Sequence, residues 1–435
     1  MPASDDLAIL GGTPVSAKGF GFNRSIGAEE KAAVMRVLDS GELSGFIASP
    51  GEHFWGGREV RALERMFEER YGIQRALAFN SATTALHAAV AATGVGPGDE
   101  VIVSPYTMSA SATAILMTGA VPVFADVEAR SFGLDPESVA ANITPHTRGI
   151  LVVNIFGHPA QLGPLREIAD RHGLFLIEDN AQAPDGLYQG RHTGTIGDIG
   201  VFSFNRHKVM QCGEGGVLVT GNERLATKAA LVRNHGEVVV EPMGIDDIAN
   251  TVGLNYRMTE MEAAVAQEQF RKMPTMNARR IELANRLADG LRGIPGLKPP
   301  IVEAGCRHVY YMFPILLDAD VVGLPRDLFA KAVAAEGYYL RAGYLRPIYL
   351  EPVYQSKICF GGAGFPFTAN PRNANLSYAA GICPIVERLQ GESLMITPIM
   401  QPPQDEADMD GFVEACAKVI RNRDRLLAAR ERLGA

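Results

Sequence analysis

Lys208 is the single lysine between Lys31 and Lys228, and it lies in a run whose pattern is informative. Phe202 and Phe204 alternate with Ser203 and Asn205. Gly213, Gly215 and Gly216 then break the chain, and Val217 to Val219 resume an apolar stretch. That order predicts strand, polar turn, strand, with the amine at a sheet edge or tip. A lone amine beside a Gly-rich turn suits Schiff-base chemistry, in which a lysine attacks a carbonyl. An ordinary hairpin-tip lysine would have the same local pattern, so its context decides.

Three further stretches supply that context. In Phe79-Asn-Ser-Ala-Thr-Thr84 a strand gives way to a helix, so free N–H groups and hydroxyls gather where a phosphate could bind. Plain N-capping by Ser81 or Thr83 is the alternative. In Leu176-Ile-Glu-Asp-Asn-Ala-Gln182 acidic residues follow an apolar strand. A carboxylate there could hold a protonated pyridine nitrogen, bind a metal or cap the next helix. No His/Cys cluster supports the metal. In Gly253-Leu-Asn-Tyr-Arg-Met258, Asn255 and Arg257 precede a helix start and could help bind an anion, or form a plain surface loop.

These residues need a scaffold. From about residue 73 to 220, short apolar strands alternate with helices (Ala76–Phe79, Ala82–Ala92, Val101–Val103, Ser109–Thr118, Val121–Phe124, Ile150–Asn154, Leu162–His172, Leu174–Ile177). Such alternation predicts a mainly parallel α/β sheet with ligands at the carboxyl ends of its strands. Thr259-Glu-Met-Glu262 fits a capping box opening a helix to about Gln269. The Pro274 region reads as a joint. Beyond it Ile281–Leu291 is helical, His308–Leu317 strand-like, Asp327–Glu336 helical, Cys359–Ser377 a loop and Asp410–Leu427 a closing helix. The expected division is 1–273 as an N-terminal segment plus a large domain, and 274–435 as a smaller α+β domain.

At 435 residues the chain is long enough for two domains, and 47% hydrophobic with 21% charged residues is a globular, ordered balance. A net charge of −8 gives no global field for nucleic acid or an anionic membrane. The five cysteines lack Cys-x-x-Cys spacing, which points to reduced thiols in a cytoplasmic protein. No apolar run reaches the ~18 residues of a membrane span, and the first residues do not resemble a signal peptide.

Together the motifs resemble one family, the DegT/DnrJ/EryC1/StrS sugar aminotransferases, from Leu7-Ala-Ile-Leu-Gly-Gly-Thr-Pro14 to the closing helix. The most specific matches are Ser203-Phe-x-x-x-Lys208 with Gly213-Glu-Gly-Gly216, Glu178-Asp-x-Ala-Gln-Ala183, and Gly253-x-Asn-Tyr-Arg-Met258. Thr118-Gly-Ala-Val-Pro-Val-Phe-Ala-Asp126 is a fourth. The resemblance implies a fold-type-I transferase with a mostly parallel seven-stranded sheet flanked by helices. It also implies a pyridoxal 5′-phosphate (PLP) cofactor and a homodimer with shared active sites.

By this resemblance Lys208 would carry PLP as a Schiff base and Asp179 would pair with its ring nitrogen. Gln182 would lie near the ring's phenolic oxygen or face. Thr83, Thr84 and Ser203 would hold the phosphate, and Asn255 would reach the phosphate of the partner's cofactor. Where many relatives place an aromatic over the ring, this chain has Met108, with Tyr106 as a substitute stacker. Pro184-Asp185 stands where relatives commonly have His-Gly, a departure with a bearing on substrate. The implied reaction moves an amine from L-glutamate or L-glutamine to a keto-cyclitol or keto-sugar. Nucleotide-linked 4-keto-6-deoxy sugars are the close alternative to the cyclitol and antibiotic-sugar branches. A histidine in place of the lysine marks a dehydrating branch; counting from Ser203 puts Lys208, not His207, at the position. A PLP-dependent dehydratase or lyase and a non-catalytic PLP-binding regulator are the rival readings. Loops Gly343–Tyr349 and Cys359–Ser377 are expected to build part of the pocket.

Overall fold

A computed structural model describes residues 6–21 and 25–433. Seven strands form the main sheet: β1 Arg75–Phe79, β2 Glu100–Val103, β3 Val121–Phe124, β4 Thr147–Val153, β5 Phe175–Asp179, β8 Ile199–Ser203 and β9 Gly216–Thr220. Their order is β1-β9-β8-β5-β4-β2-β3. β9 runs antiparallel to both its neighbours, and the other pairings are parallel. The central strands are short β-branched runs; β2 and β3 are buried along their whole length, as a sheet covered on both faces requires.

The covering helices are α1 Ala28–Ser40, α2 Arg58–Tyr71, α3 Ala82–Ala92, α4 Ala110–Leu116, α5 Pro136–Ala141, α6 Leu162–His172, α7 Glu223–Arg233 and α8 Glu260–Arg292. The period of two along β1 sorts its side chains between the faces. Ala76 and Ala78 pack with Phe67 of α2 and Phe270 of α8, while Leu77 and Phe79 pack with α3 and α7. The carboxyl ends of β5 and β8, and of β1 across the antiparallel β9, thus lie at one edge of the sheet in sequence-distant residues Asp179, Ser203 and Phe79.

A second, four-stranded antiparallel sheet is ordered β10-β12-β14-β13, from β10 Leu297–Lys298, β12 Phe313–Leu317, β13 Arg341–Ala342 and β14 Leu394–Thr397. Its core joins Phe313, Ile315, Phe329 and Phe412 to Leu283, Leu287 and Leu291 of α8. The strands β6 Leu187–Tyr188, β7 Arg191–His192 and β11 Cys306–Arg307 make a small third sheet. Lys418 and Glu336 form a buried ion pair at 2.9 Å, and Glu336 also accepts the amides of Ala8 and Val15, which fastens the N-terminal segment.

The capping box at Thr259 and Glu262 forms as expected, but α8 does not stop near Gln269. It runs for 33 residues with Pro274 inside it. A mid-helix proline costs ~3 kcal/mol. Here both flanks are buried, Phe270 and Met273 in the α2 cluster and Leu283 and Leu287 in the other, and packing outweighs the lost bond. No break in the chain therefore marks residue 274. The closing helix is divided, Glu406–Arg421 and Arg423–Ala428.

The stretch 308–317 is strand only from Phe313, because Val309 and Met312 donate instead to the carbonyls of Gly157 and Phe156. Segment 344–389 packs on the main sheet. Tyr349, Tyr354 and Tyr378 surround Phe124 of β3. Within the expected loop, a short helix Pro371–Asn375 forms, and Arg372 reaches Glu100 at the amino end of β2.

Candidate active site

The carboxyl ends of β1, β5 and β8 meet the start of α3. Ser203 pairs in register with Gly216. A Cβ on Gly216 would fall 2.7 Å from the Ala82 nitrogen, so glycine lets β9 abut the helix start and brings Ser203 to it. Ser81 caps α3 by accepting the Thr84 amide at 3.1 Å. The Thr84 hydroxyl is held by Asn80 Oδ1 at 2.7 Å. Thr83 is exposed, and among the described residues neither its hydroxyl nor the Ala82 and Thr83 N–H groups form a hydrogen bond. Capping and an open anion cradle therefore coexist.

Lys208 follows Ser203 in a turn whose Gly213 and Gly215 adopt φ of 95° and 145°, conformations that L side chains rarely take. Its amide donates to Asn205 O at 2.8 Å, and its Nζ lies 4.7 Å from the centroid of the Tyr311 ring. Burial pushes the amine down to about 8, opposed by the negative charge of Asp179. His207, next in the chain, is exposed. Both line the cavity, and of the two it is Lys208 whose charge acts on Asp179.

Asp179 closes β5 and is 5% exposed. Its Oδ2 accepts the Ser111 hydroxyl at 2.7 Å and its Oδ1 the Ala181 amide at 3.2 Å. Burial raises its pKa, while the Ser111 hydrogen bond and the Lys208 charge pull the other way. Glu178, beside it, is structural: it accepts the amides of Gly194, Ile196 and Gly197 and the side chain of Asn154. Gln182 accepts the Phe156 amide at 2.7 Å and donates to the Tyr344 hydroxyl at 3.2 Å. Gly157 packs so closely that a Cβ would meet the Tyr311 nitrogen at 2.8 Å. The loop after β4 thereby carries Tyr311 to Lys208.

Met108 is 57% exposed, two residues from the start of α4, and its carbonyl accepts the Ser111 amide. Tyr106 is fully enclosed, its hydroxyl on Gln390 at 2.8 Å and its ring edge-on to Tyr344. With no face open to a ligand it does not serve as a substitute stacker. Asn255 is exposed, its Oδ1 bound by Arg257. Its carbonyl accepts Asn80 Nδ2 at 3.3 Å, although the two lie 175 residues apart in the chain. Separation along the chain thus gives no reason to invoke a second subunit here. Asp185 adopts φ 68° and is buried against Arg70, Arg307 and His192. That cleft shares no lining residue with the Lys208 cavity, so this departure shapes a different part of the molecule. Segment 359–377 lies along the β3 edge and is anchored at the amino end of β2, whereas Tyr344 of the 343–349 loop does reach Gln182.

Sequence reasoning missed Ser111 and Tyr311, which gain meaning only from the fold, and named the 343–349 loop without singling out Tyr344. Among the described residues no group of three or more His, Cys, Asp or Glu side chains could hold a metal. The donor set does suit PLP: an amine of lowered pKa, a buried carboxylate and an open helix start. The cofactor, when bound, supplies the electron sink that lets a bond at an amino acid's Cα break.

A profile of the DegT/DnrJ/EryC1/StrS aminotransferase family matches residues 25–389. The chain is 31% identical over 405 residues to the spore coat polysaccharide biosynthesis protein SpsC of Bacillus subtilis (strain 168), covering 92% of this chain and 96% of that one. It is 38% identical over 289 residues to the dTDP-3-amino-3,4,6-trideoxy-alpha-D-glucose transaminase of Streptomyces venezuelae, covering 66% and 72%. Its fold matches the X-ray structure of an aminotransferase from Psychrobacter cryohalolentis with a TM-score of 0.80 at 30% identity, covering 93% of this chain and 99% of that one. The chain belongs to the DegT/DnrJ/EryC1/StrS aminotransferase family and is a PLP-dependent aminotransferase.

Proposed function

We propose that the chain moves the amino group of L-glutamate or L-glutamine to a keto-sugar, with a keto-cyclitol as the second acceptor class. The observation that carries the reading is Lys208: its amine, lowered to about 8, shares a site with the buried carboxylate of Asp179. The sugar acceptor is supported by the relative named as a dTDP-amino-sugar transaminase.

In this reading the neutral Lys208 amine attaches the cofactor, and once displaced it takes the proton from the donor's Cα and delivers it to the cofactor's C4′ position. Asp179, fixed by Ser111, keeps the ring nitrogen protonated. Thr83, Thr84, Ser203 and the first N–H groups of α3 hold the phosphate. Gln182, fixed by Phe156 and Tyr344, borders the ring, and the exposed Met108 thioether packs on its face. The protein works as a homodimer in the cytoplasm, where its five free cysteines stay reduced. Exposed Val238, Ile248 and Val252, in the loop leading to Asn255, support a partner surface there. Asn255 then serves the partner's phosphate site.

The test is to convert the yellow protein with L-glutamate and offer it a panel of keto-sugars and keto-cyclitols. Return of the yellow band with an aminated product identifies the acceptor. A dehydrated product without amine would place the chain among the lyases instead.

A further inference from the structure

A second buried cation shares the cavity of Lys208. Arg280, in the middle of α8, is 4% exposed and lines the same space of about 190 Å³ as Lys208, Tyr311 and Gln401. Its guanidinium donates to two neutral acceptors, Tyr310 O at 3.3 Å and Gln401 Oε1. Among the described residues it has no carboxylate partner, which sets it apart from its neighbours. Arg279 pairs with Glu282 and Glu406, Lys272 with Glu29 and Glu30, and Arg286 with Asp410. The other buried guanidiniums among the described residues, Arg233 and Arg326, pair with Glu64 and Asp327.

Burying an unpaired charge is costly, and the cost is met where a ligand brings the opposite charge. Burial lowers the Arg280 pKa to about 10, so it stays positive at neutral pH. Two hydrogen bonds leave guanidinium N–H donors unused. An amino-acid donor must bring its amine to Lys208 and carries a carboxylate on the adjoining carbon. A keto-sugar or keto-cyclitol carries no carboxylate, and a nucleotide-linked sugar bears its charge on the diphosphate, away from the reacting ketone.

We infer that Arg280 receives a carboxylate of the amino donor and so distinguishes the donor from an acceptor that has no carboxylate beside its reacting carbon. This rests on the aminotransferase reading. Gln401 and the Tyr310 carbonyl orient the guanidinium, and Tyr311, whose ring lies 4.7 Å from the Lys208 amine, lines the same cavity.

The experiment is calorimetric titration of the PLP-loaded protein with glutarate, a dicarboxylate without an amine, with its neutral diamide and with inorganic pyrophosphate. Wild type binds glutarate and binds the diamide far more weakly. Arg280→Gln loses at least about thirtyfold in glutarate affinity, as expected when one partner of a buried charge pair is removed. Arg280→Lys loses less, and both variants keep the yellow band. L-glutamate then bleaches Arg280→Gln only at correspondingly higher concentration.

Equal wild-type affinity for glutarate and its diamide would overturn the inference, and this comparison needs no variant to fold. So would unchanged glutarate affinity in a yellow Arg280→Gln protein, or a loss confined to pyrophosphate. Failure of the underlying reading looks different: L-glutamate would then leave even the wild-type band unbleached.

Discussion

The Ser111 hydroxyl donates to Asp179 Oδ2 at 2.7 Å, tying the start of α4 to the end of β5. That bond fixes the plane of a carboxylate whose other oxygen accepts the Ala181 amide at 3.2 Å. A hydrogen bond to a charged group is worth ~1.5–3 kcal/mol. Ser111→Ala should therefore cut turnover about tenfold or more while the fold stays intact. Steady-state rates beside a melting curve give the answer, and a rate equal to wild type would mean that the carboxylate needs no such support.

Asp179→Asn preserves shape and removes charge. Turnover should fall by orders of magnitude, and PLP should still bind because Lys208 and the α3 start are untouched. Rates near wild type would deny Asp179 its role at the ring nitrogen.

The lowered pKa of Lys208 sets a pH dependence. An amine attacks an aldehyde only when unprotonated, and this one sheds its proton as pH rises through about 8. PLP uptake by the cofactor-free protein should accelerate with pH and level off above about 8. An ordinary lysine would keep accelerating towards ~10.4. Stopped-flow absorbance across this range separates the two profiles.

Much of this arrangement was legible in the chain because its strands are short β-branched runs and the candidate residues lie at or shortly after strand ends. Asp179 at the end of β5 and Lys208 in the turn beyond Ser203 are the examples. What stayed hidden depends on contacts between distant segments. Ser111 lies in a stretch of Met, Ser and Ala with no motif of its own, and Tyr311 reaches Lys208 only because Gly157 admits its backbone. Pro274 misled because a local stop signal was overridden by burial on both sides of it. Tyr106 and the 359–377 segment misled for a related reason: sequence position does not say which end of a sheet a loop will cover.

The shared-site proposal has its own test. Lys208→Ala and Asn255→Ala, each inactive alone, should regain part of the activity when mixed and allowed to exchange subunits. One site of the heterodimer then carries both defects and the other none. Absence of recovery after proven exchange would assign Asn255 to its own chain's α3 loop, beside which its backbone already lies.

The central claim is that Lys208 carries the cofactor. Borohydride reduction of the yellow protein, followed by peptide mapping, should find the pyridoxyl group on Lys208, and Lys208→Ala should yield no labelled peptide. A label on any other lysine, or turnover surviving in Lys208→Ala, would contradict it.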